Sequence, residues 1–252
     1  MSRLVNPSPL FSRVFARYNE RCLLRRHFHT VGLRGTLDPA PQGQPVLYVM
    51  NHSSWWDGLV LYQAFRRAST RRHYVLMDEA QLARYRFFGR LGAIPIDRAS
   101  ARASLRSLDA AAELLREGSG VWLFPQGEIR HLEERPLAFR TGAGYLMERC
   151  PTVLVQPATI YYSHGLHQKA DVSLWLGEPL YGDWPQLGRK PAAQRIQDIL
   201  EAQLDAHRAQ VVAAAGGPPA HFNPLLAPGR STSEAFDAFK KGVARWSSFF
   251  GR

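Results

Sequence analysis

The stretch VLYVMNHSSWWDGL (46–59) decides the reading of this chain. Its first five residues are an unbroken apolar run, the pattern of a strand buried on both faces. From Asp57 onward, DGLVLYQAFRRA (57–68) repeats apolar residues at helical spacing. The turn between them carries Asn51, His52, Ser53, Ser54, Trp55 and Trp56. Strand-to-helix turns are where α/β proteins build sites. His52 precedes the helix and Asp57 stands in its first turn, so the chain can fold back and bring the carboxylate to the imidazole. Such a contact sets the tautomer and leaves the second ring nitrogen able to take a proton, and histidine's pKa of about 6.5 suits that work at neutral pH. A purely structural role fits the same residues. Ser54-x-x-Asp57 is a capping-box pattern, which would make Asp57 a helix cap, His52 a turn residue and the tryptophans packing.

Outward from this turn, strands and helices alternate. Residues 45–50, 73–77, 93–96, 121–124, 152–162 and 172–177 read as strands. Residues 57–68, 79–88, 100–118, 138–149 and 191–215 read as helices. The helix over 100–118 is the clearest: Ser100 caps it, Leu105, Leu108, Ala112 and Leu115 form its apolar stripe, and Gly118 ends it. The alternation predicts an α/β fold, a mixed, largely parallel sheet covered by helices, with amphipathic helices at both termini. The division expected is a basic amphipathic helix region (1–30), a central domain (31–215), a Pro/Gly-rich linker (216–230) and a C-terminal amphipathic helix (231–252).

The charge balance is strongly basic, with 32 Lys+Arg against 21 Asp+Glu. Only four of these cations are lysines, and arginine suits bidentate contact with phosphate or carboxylate. Residues 1–34 hold Arg3, Arg13, Arg17, Arg21, Arg25, Arg26 and Arg34 against Glu20 alone. Over 9–28 the apolar residues Leu10, Phe11, Val14, Phe15, Tyr18 and Cys22 share a helical face. This is the pattern of a helix lying on an anionic membrane; a helix docked on the core with its arginines in solvent has the same pattern. No apolar run approaches a membrane span of about 20 residues, and no secretion signal is evident. Nucleic acid would suit the charge, but no nucleic-acid-binding motif accompanies it, so none is expected as a partner. The two cysteines, Cys22 and Cys150, form no CxxC pair, and neither a disulfide framework nor a metal site is expected.

Four segments, taken together, bear a resemblance. NHSSWWD (51–57) is similar to the NHxxxxD motif of the glycerolipid acyltransferase superfamily, that of the 1-acylglycerol-3-phosphate acyltransferases. GAIPIDR (92–98), LFPQGEIR (123–130) and VLVQPATIYY (153–162) resemble its three further blocks, in order. AFRTGAGYLM (138–147) and LWLGEPL (174–180) resemble later segments, so the likeness covers about residues 30–210. It implies that His52 is the general base, that Asp57 orients it, and that the acceptor hydroxyl attacks the thioester directly. It implies that Arg98 and the loop with Phe124, Pro125, Gln126, Gly127, Glu128 and Arg130 hold a lysophospholipid or glycerolipid acceptor. Acyl-CoA or acyl carrier protein would be the co-substrate, with no cofactor. The setting implied is peripheral, on the cytoplasmic face of the inner membrane. The third block departs from the family pattern, with Gln126 in place of glutamate, Glu128 two positions later, and Ile129 where the family has arginine. Those departures alter the acceptor pocket and admit related acceptors such as a glycosylated lipid or pigment. On a bare arginine, an ion pair with the adjacent Asp97 is the alternative to an acceptor role for Arg98.

Overall fold

The computed structural model describes residues 7–98 and 100–226, with positions 228, 236, 239 and 240. Among the described residues the strands are β1 (Phe28–Arg34), β2 (Val46–Met50), β3 (His73–Asp78), β4 (Ala93–Ile96), β5 (Gly120–Leu123), β6 (Leu154–Ser163), β7 (Ala170–Leu176) and β8 (Asn223–Leu226). The helices are α1 (Pro9–Tyr18), α2 (Arg25–His27), α3 (Asp57–Ala68), α4 (Glu79–Arg84), α5 (Ala101–Arg116), α6 (Gly142–Arg149), α7 (Trp184–Leu187) and α8 (Arg189–Ala213). The strands form one sheet in the order β4-β3-β5-β2-β6-β7-β1-β8. From β4 to β6 all neighbours are parallel. β7 runs antiparallel to β6, β1 parallel to β7, and β8 antiparallel to β1. The sheet is therefore mixed and largely parallel, with helices on its faces, as its alternating sequence predicts.

β2 shows why the sheet is two-sided. All five residues are buried. Val46, Tyr48 and Met50 face one apolar cluster, with α3 and the N-terminal helix. Leu47 and Val49 face the other, with α5, α6 and α8. That is the period of two expected of a pleated strand, and it makes β2 apolar at every position. α5 starts where Ser100 accepts the Ala103 N–H at 3.1 Å, the cap read from the sequence. Leu105, assigned to its apolar stripe, is instead 40% exposed.

The ends of the domain differ from the expected boundaries. The helix expected over 9–28 is α1, a π-helical turn at Asn19–Leu24 and α2, and Phe28 already belongs to β1. A boundary at residue 30 would therefore cut a sheet strand. Asn19 sits in this wide turn fully buried, donating to the Leu59 carbonyl at 2.9 Å and to Gln63 Oε1 at 3.2 Å. Those bonds, with Phe15 packed edge-on against Tyr62 at 5.3 Å, dock the N-terminal helix on α3. Only one of its faces is used. Leu10, Val14 and Tyr18, 73%, 60% and 51% exposed, form an outward apolar ridge beside exposed Arg13, Arg17 and Arg21.

Part of the expected linker is structured: Asn223–Leu226 pairs with β1 as the edge strand β8. Proline is tolerated on an edge strand because no ladder bond is asked of its nitrogen, so Pro224 does not break it. Tertiary pairing overrides the Pro/Gly composition there. The helix expected over 79–88 is α4 followed by a 3-10 turn at Arg86–Leu91, and the helix expected over 138–149 begins at Gly142. Of the helix expected at 231–252 only positions 236, 239 and 240 are described, and they are helical and exposed; the rest of it lies outside the described residues.

Candidate active site

Three of the four sequence blocks place their site residues just past the C-terminal end of a parallel strand, and the fourth is β6 itself, beside β2. His52 follows β2, the 124–130 loop follows β5, Arg98 follows β4, and Asp78 ends β3. In open α/β sheets ligands bind off this edge. Asn51 extends the β2–β6 ladder with its side chain: Nδ2 donates to the Ile160 carbonyl at 3.1 Å, and Oδ1 accepts the Ile160 N–H at 2.9 Å. The next residue is thus held in place. The His52 N–H donates to Gln126 Oε1 at 2.7 Å, and the Arg130 N–H donates to the His52 carbonyl at 2.9 Å. Phe124 lies against the imidazole face, ring centroids 4.4 Å apart.

Asp57 is fully buried at the start of α3. Its Oδ2 stands 2.8 Å from His52 Nδ1 and also accepts the N–H groups of Ser53 at 2.8 Å and Ser54 at 3.0 Å. Its Oδ1 accepts the Tyr162 hydroxyl at 2.7 Å. A carboxylate that accepts from every side imposes the Nδ1–H tautomer on His52, which leaves Nε2 as the basic atom of the ring. The two roles read from the sequence coexist. Asp57 caps the turn amides and contacts the imidazole, and the first contact places the second. Burial, then the adjacent Asp57 carboxylate, keeps the Tyr162 phenol protonated well above its usual range. Tyr162 closes the cluster across 105 residues of chain. Nothing in NHSSWWD announces it; the one signal was its place at the end of the fourth block.

His52 lies on the wall of a cavity of about 670 Å³, within the size range of ligand sites. Most of the wall is apolar, including Tyr62, Phe65, Val75, Leu76, Phe88 and Leu108. Leu105 faces this cavity, which explains its exposure. Trp55, 55% exposed, stands on the wall beside His52. Trp56 packs inward, against His27 at 4.7 Å and Phe28 at 5.2 Å.

Arg98, Phe124, Pro125, Gly127 and Glu128 line the cavity; Gln126 and Arg130 are not part of its wall. Gln126 is 3% exposed and holds the His52 backbone instead. The Arg98 guanidinium pairs with Asp78 at 2.6 Å, not with Asp97, and also donates to the Gly127 carbonyl. Arg130 pairs with Glu128 and Glu134, each at 2.7 Å. The sequence reading did not single out Arg140, which also lines the cavity. Its guanidinium rests on Gly127: a Cβ there would come within 2.9 Å of Arg140 Nε, and the backbone has φ +76°. The positive φ favours glycine there, and a side chain would also have to displace Arg140.

A family model described as Acyltransferase matches residues 35–161, just over half of the chain. The chain belongs to the Acyltransferase family. Within it, this acyltransferase-family chain is 29% identical over 125 residues to a 1-acyl-sn-glycerol-3-phosphate acyltransferase of Chlamydomonas reinhardtii, covering 48% of this chain and 36% of that one. It is 24% identical over 184 residues to a chloroplastic 1-acyl-sn-glycerol-3-phosphate acyltransferase of Brassica napus, covering 69% and 52%. The chain thus spans about a third to a half of the length of these curated relatives. The crystal structure of the 1-acyl-sn-glycerophosphate acyltransferase of Thermotoga maritima has the same fold, with a TM-score of 0.58 at 16% identity over 79% of this chain and 80% of that one.

Proposed function

We propose that this protein is an O-acyltransferase that moves a fatty acyl group from acyl-CoA or acyl carrier protein to a hydroxyl of a lysophospholipid or related glycerolipid. One observation carries the reading: the His52 ring, with Nδ1 held by buried Asp57, stands on the wall of a large apolar cavity. The apolar wall suits an acyl chain, and the basic Nε2 suits a hydroxyl that must lose its proton. In the step proposed, the acceptor oxygen attacks the thioester carbonyl carbon while His52 takes its proton. The tetrahedral intermediate then expels the thiolate, which takes that proton from the imidazolium. Asp57 stabilises the imidazolium between the two transfers. No acyl-enzyme is needed, consistent with Cys150 being buried and Cys22 lying outside the cavity wall.

The exposed ridge of Leu10, Val14 and Tyr18, flanked by arginines, supports peripheral binding to an anionic membrane, and we place it on the cytoplasmic face of the inner membrane. No helix among the described residues is long and apolar enough to cross a bilayer. The test is acyl transfer by the purified chain from labelled acyl-CoA or acyl carrier protein into a total lipid extract, with the product identified by mass. His52→Ala should lower transfer by about 10²–10⁴-fold with the circular dichroism spectrum unchanged. A folded His52→Ala protein with near-normal transfer removes His52 from this role. Failure of the wild-type protein to consume either thioester in the presence of lipid overturns the acyltransferase reading.

A further inference from the structure

The charge on and beside the cavity wall points to the acceptor's headgroup. Three guanidiniums, those of Arg98, Arg130 and Arg140, gather around the Gly127–Glu128 turn. Arg98 donates to the Gly127 carbonyl, Arg140 lies against the Gly127 Cα, and Arg130 pairs with Glu128 at 2.7 Å. The Glu128 carboxyl is held below its usual range by its bond to Arg130 first and that cation's charge next, with Arg140 and Arg98 adding to it. The place where an anionic headgroup would meet these arginines therefore already holds a carboxylate. The other pairings remove more positive charge: Asp78 takes Arg98, and Glu134 takes Arg130. Arg140 alone of the three has no carboxylate partner within ion-pair distance among the described residues.

We propose that Glu128 is the residue that sets acceptor charge: its carboxylate, paired with Arg130 and sharing the cavity wall with Arg98 and Arg140, takes the place an anionic headgroup would need, so this site takes a lipid hydroxyl acceptor with an uncharged headgroup over one bearing a phosphomonoester. The proposal rests on the acyltransferase reading and names the substrate class for it. A phosphomonoester in that place meets a fixed like charge, and repulsion of the wrong partner is as effective a source of specificity as attraction of the right one. An uncharged glycerolipid or glycolipid hydroxyl leaves the Glu128–Arg130 pair intact. Glu128 touches no atom of the His52–Asp57 pair, so its charge acts on the choice of acceptor and not on proton transfer.

The experiment compares kcat/KM for 1-monoacylglycerol and for lysophosphatidate, in detergent micelles with one acyl donor, for the wild-type protein, Glu128→Gln and Asp205→Asn. The last removes an exposed carboxylate that pairs with Arg135, outside the cavity wall, and controls for net charge. The wild-type protein should prefer the uncharged acceptor. Glu128→Gln should shift the ratio by roughly three- to tenfold toward lysophosphatidate, and Asp205→Asn should leave it unchanged. Wild-type preference for lysophosphatidate, an unchanged ratio in Glu128→Gln, or an equal shift in Asp205→Asn overturns the proposal. A readout without turnover is calorimetric titration of the same proteins with glycerol 3-phosphate. Glu128→Gln should bind it roughly three- to tenfold more tightly than the wild-type protein. If no variant transfers acyl groups to either acceptor, the assay with both thioesters and total lipid decides the acyltransferase reading, and the glycerol 3-phosphate titration decides this proposal. Tighter binding by Glu128→Gln would then still support it, and equal binding would overturn it.

Discussion

Two histidines on neighbouring parts of the sheet, His52 after β2 and His207 against β6 and β7, differ in what their surroundings leave free. His207, on α8, is fully buried. Its Nδ1 lies 2.9 Å from Thr159 Oγ1 and its Nε2 2.7 Å from Ser173 Oγ, and Phe222 stacks on the ring at 5.0 Å. Both nitrogens are engaged by neutral hydroxyls, and burial, then the Arg34 charge, pushes its pKa down to about 3. His52 also lies against a phenylalanine and also has a held nitrogen. The difference is that its partner is a carboxylate and that its ring stands on a cavity wall. His207 joins α8 to β6 and β7 as a neutral structural link; His52 keeps a basic nitrogen to spend. Hydrogen bonds hold both rings firmly, so order alone does not separate the proposed general base from a structural histidine. The charge of the partner and the fate of the second nitrogen do.

The contrast can be broken most directly at Asp57. Asp57→Asn should reduce acyl transfer by about 10²–10⁴-fold and destabilise the fold by about 1–3 kcal/mol, because an amide cannot accept from all four donors. Steady-state kinetics and urea unfolding measure the two losses separately. The opposite pattern is expected of His207→Ala. It should cost about 2–4 kcal/mol of stability through the cavity and the two orphaned hydroxyls, with kcat per folded molecule unchanged. A matching loss of kcat would mean that the His207 link and the His52 site are coupled through β6.

Acid sharpens the comparison further. An unfolded histidine binds a proton near pH 6.5, whereas folded His207 resists protonation to about pH 3. The stability of the neutral ring is therefore complete above about pH 6.5 and is lost as pH falls toward 3. His73 behaves alike: burial first lowers it to about 3, with Trp122 Nε1–H donating to its Nδ1 at 3.0 Å. Each should add a slope of about 1.4 kcal/mol per pH unit over that window, and urea titrations of His207→Ala should show one such slope missing. The smallest effect is expected of Tyr162→Phe. Losing one of the four bonds to Asp57 should lower transfer by roughly ten- to 150-fold, the scale of a hydrogen bond to a charged group, with little change in KM. No change would mean that the two turn amides alone hold the carboxylate.

The sequence by itself determined the alternating strands and helices and placed His52 and Asp57 where they could meet, with helix capping as the alternative. Both are local: a period of two or of 3.6 residues sets each element, and five residues of turn bring imidazole and carboxylate together. That the four blocks belong to one site was implied by their resemblance, in order, to the family's motifs. Only the tertiary structure decided which strands border which, and so that Tyr162 reaches Asp57, that Gln126 holds the His52 backbone across 74 residues, and that Arg98 pairs with Asp78, 20 residues away, and not with its neighbour Asp97. The same holds for β8, whose composition reads as linker until β1 offers it an edge. Such contacts have no sequence period. They exist because buried donors and acceptors at the end of a sheet must find partners, and parallel strands bring those partners from distant parts of the chain.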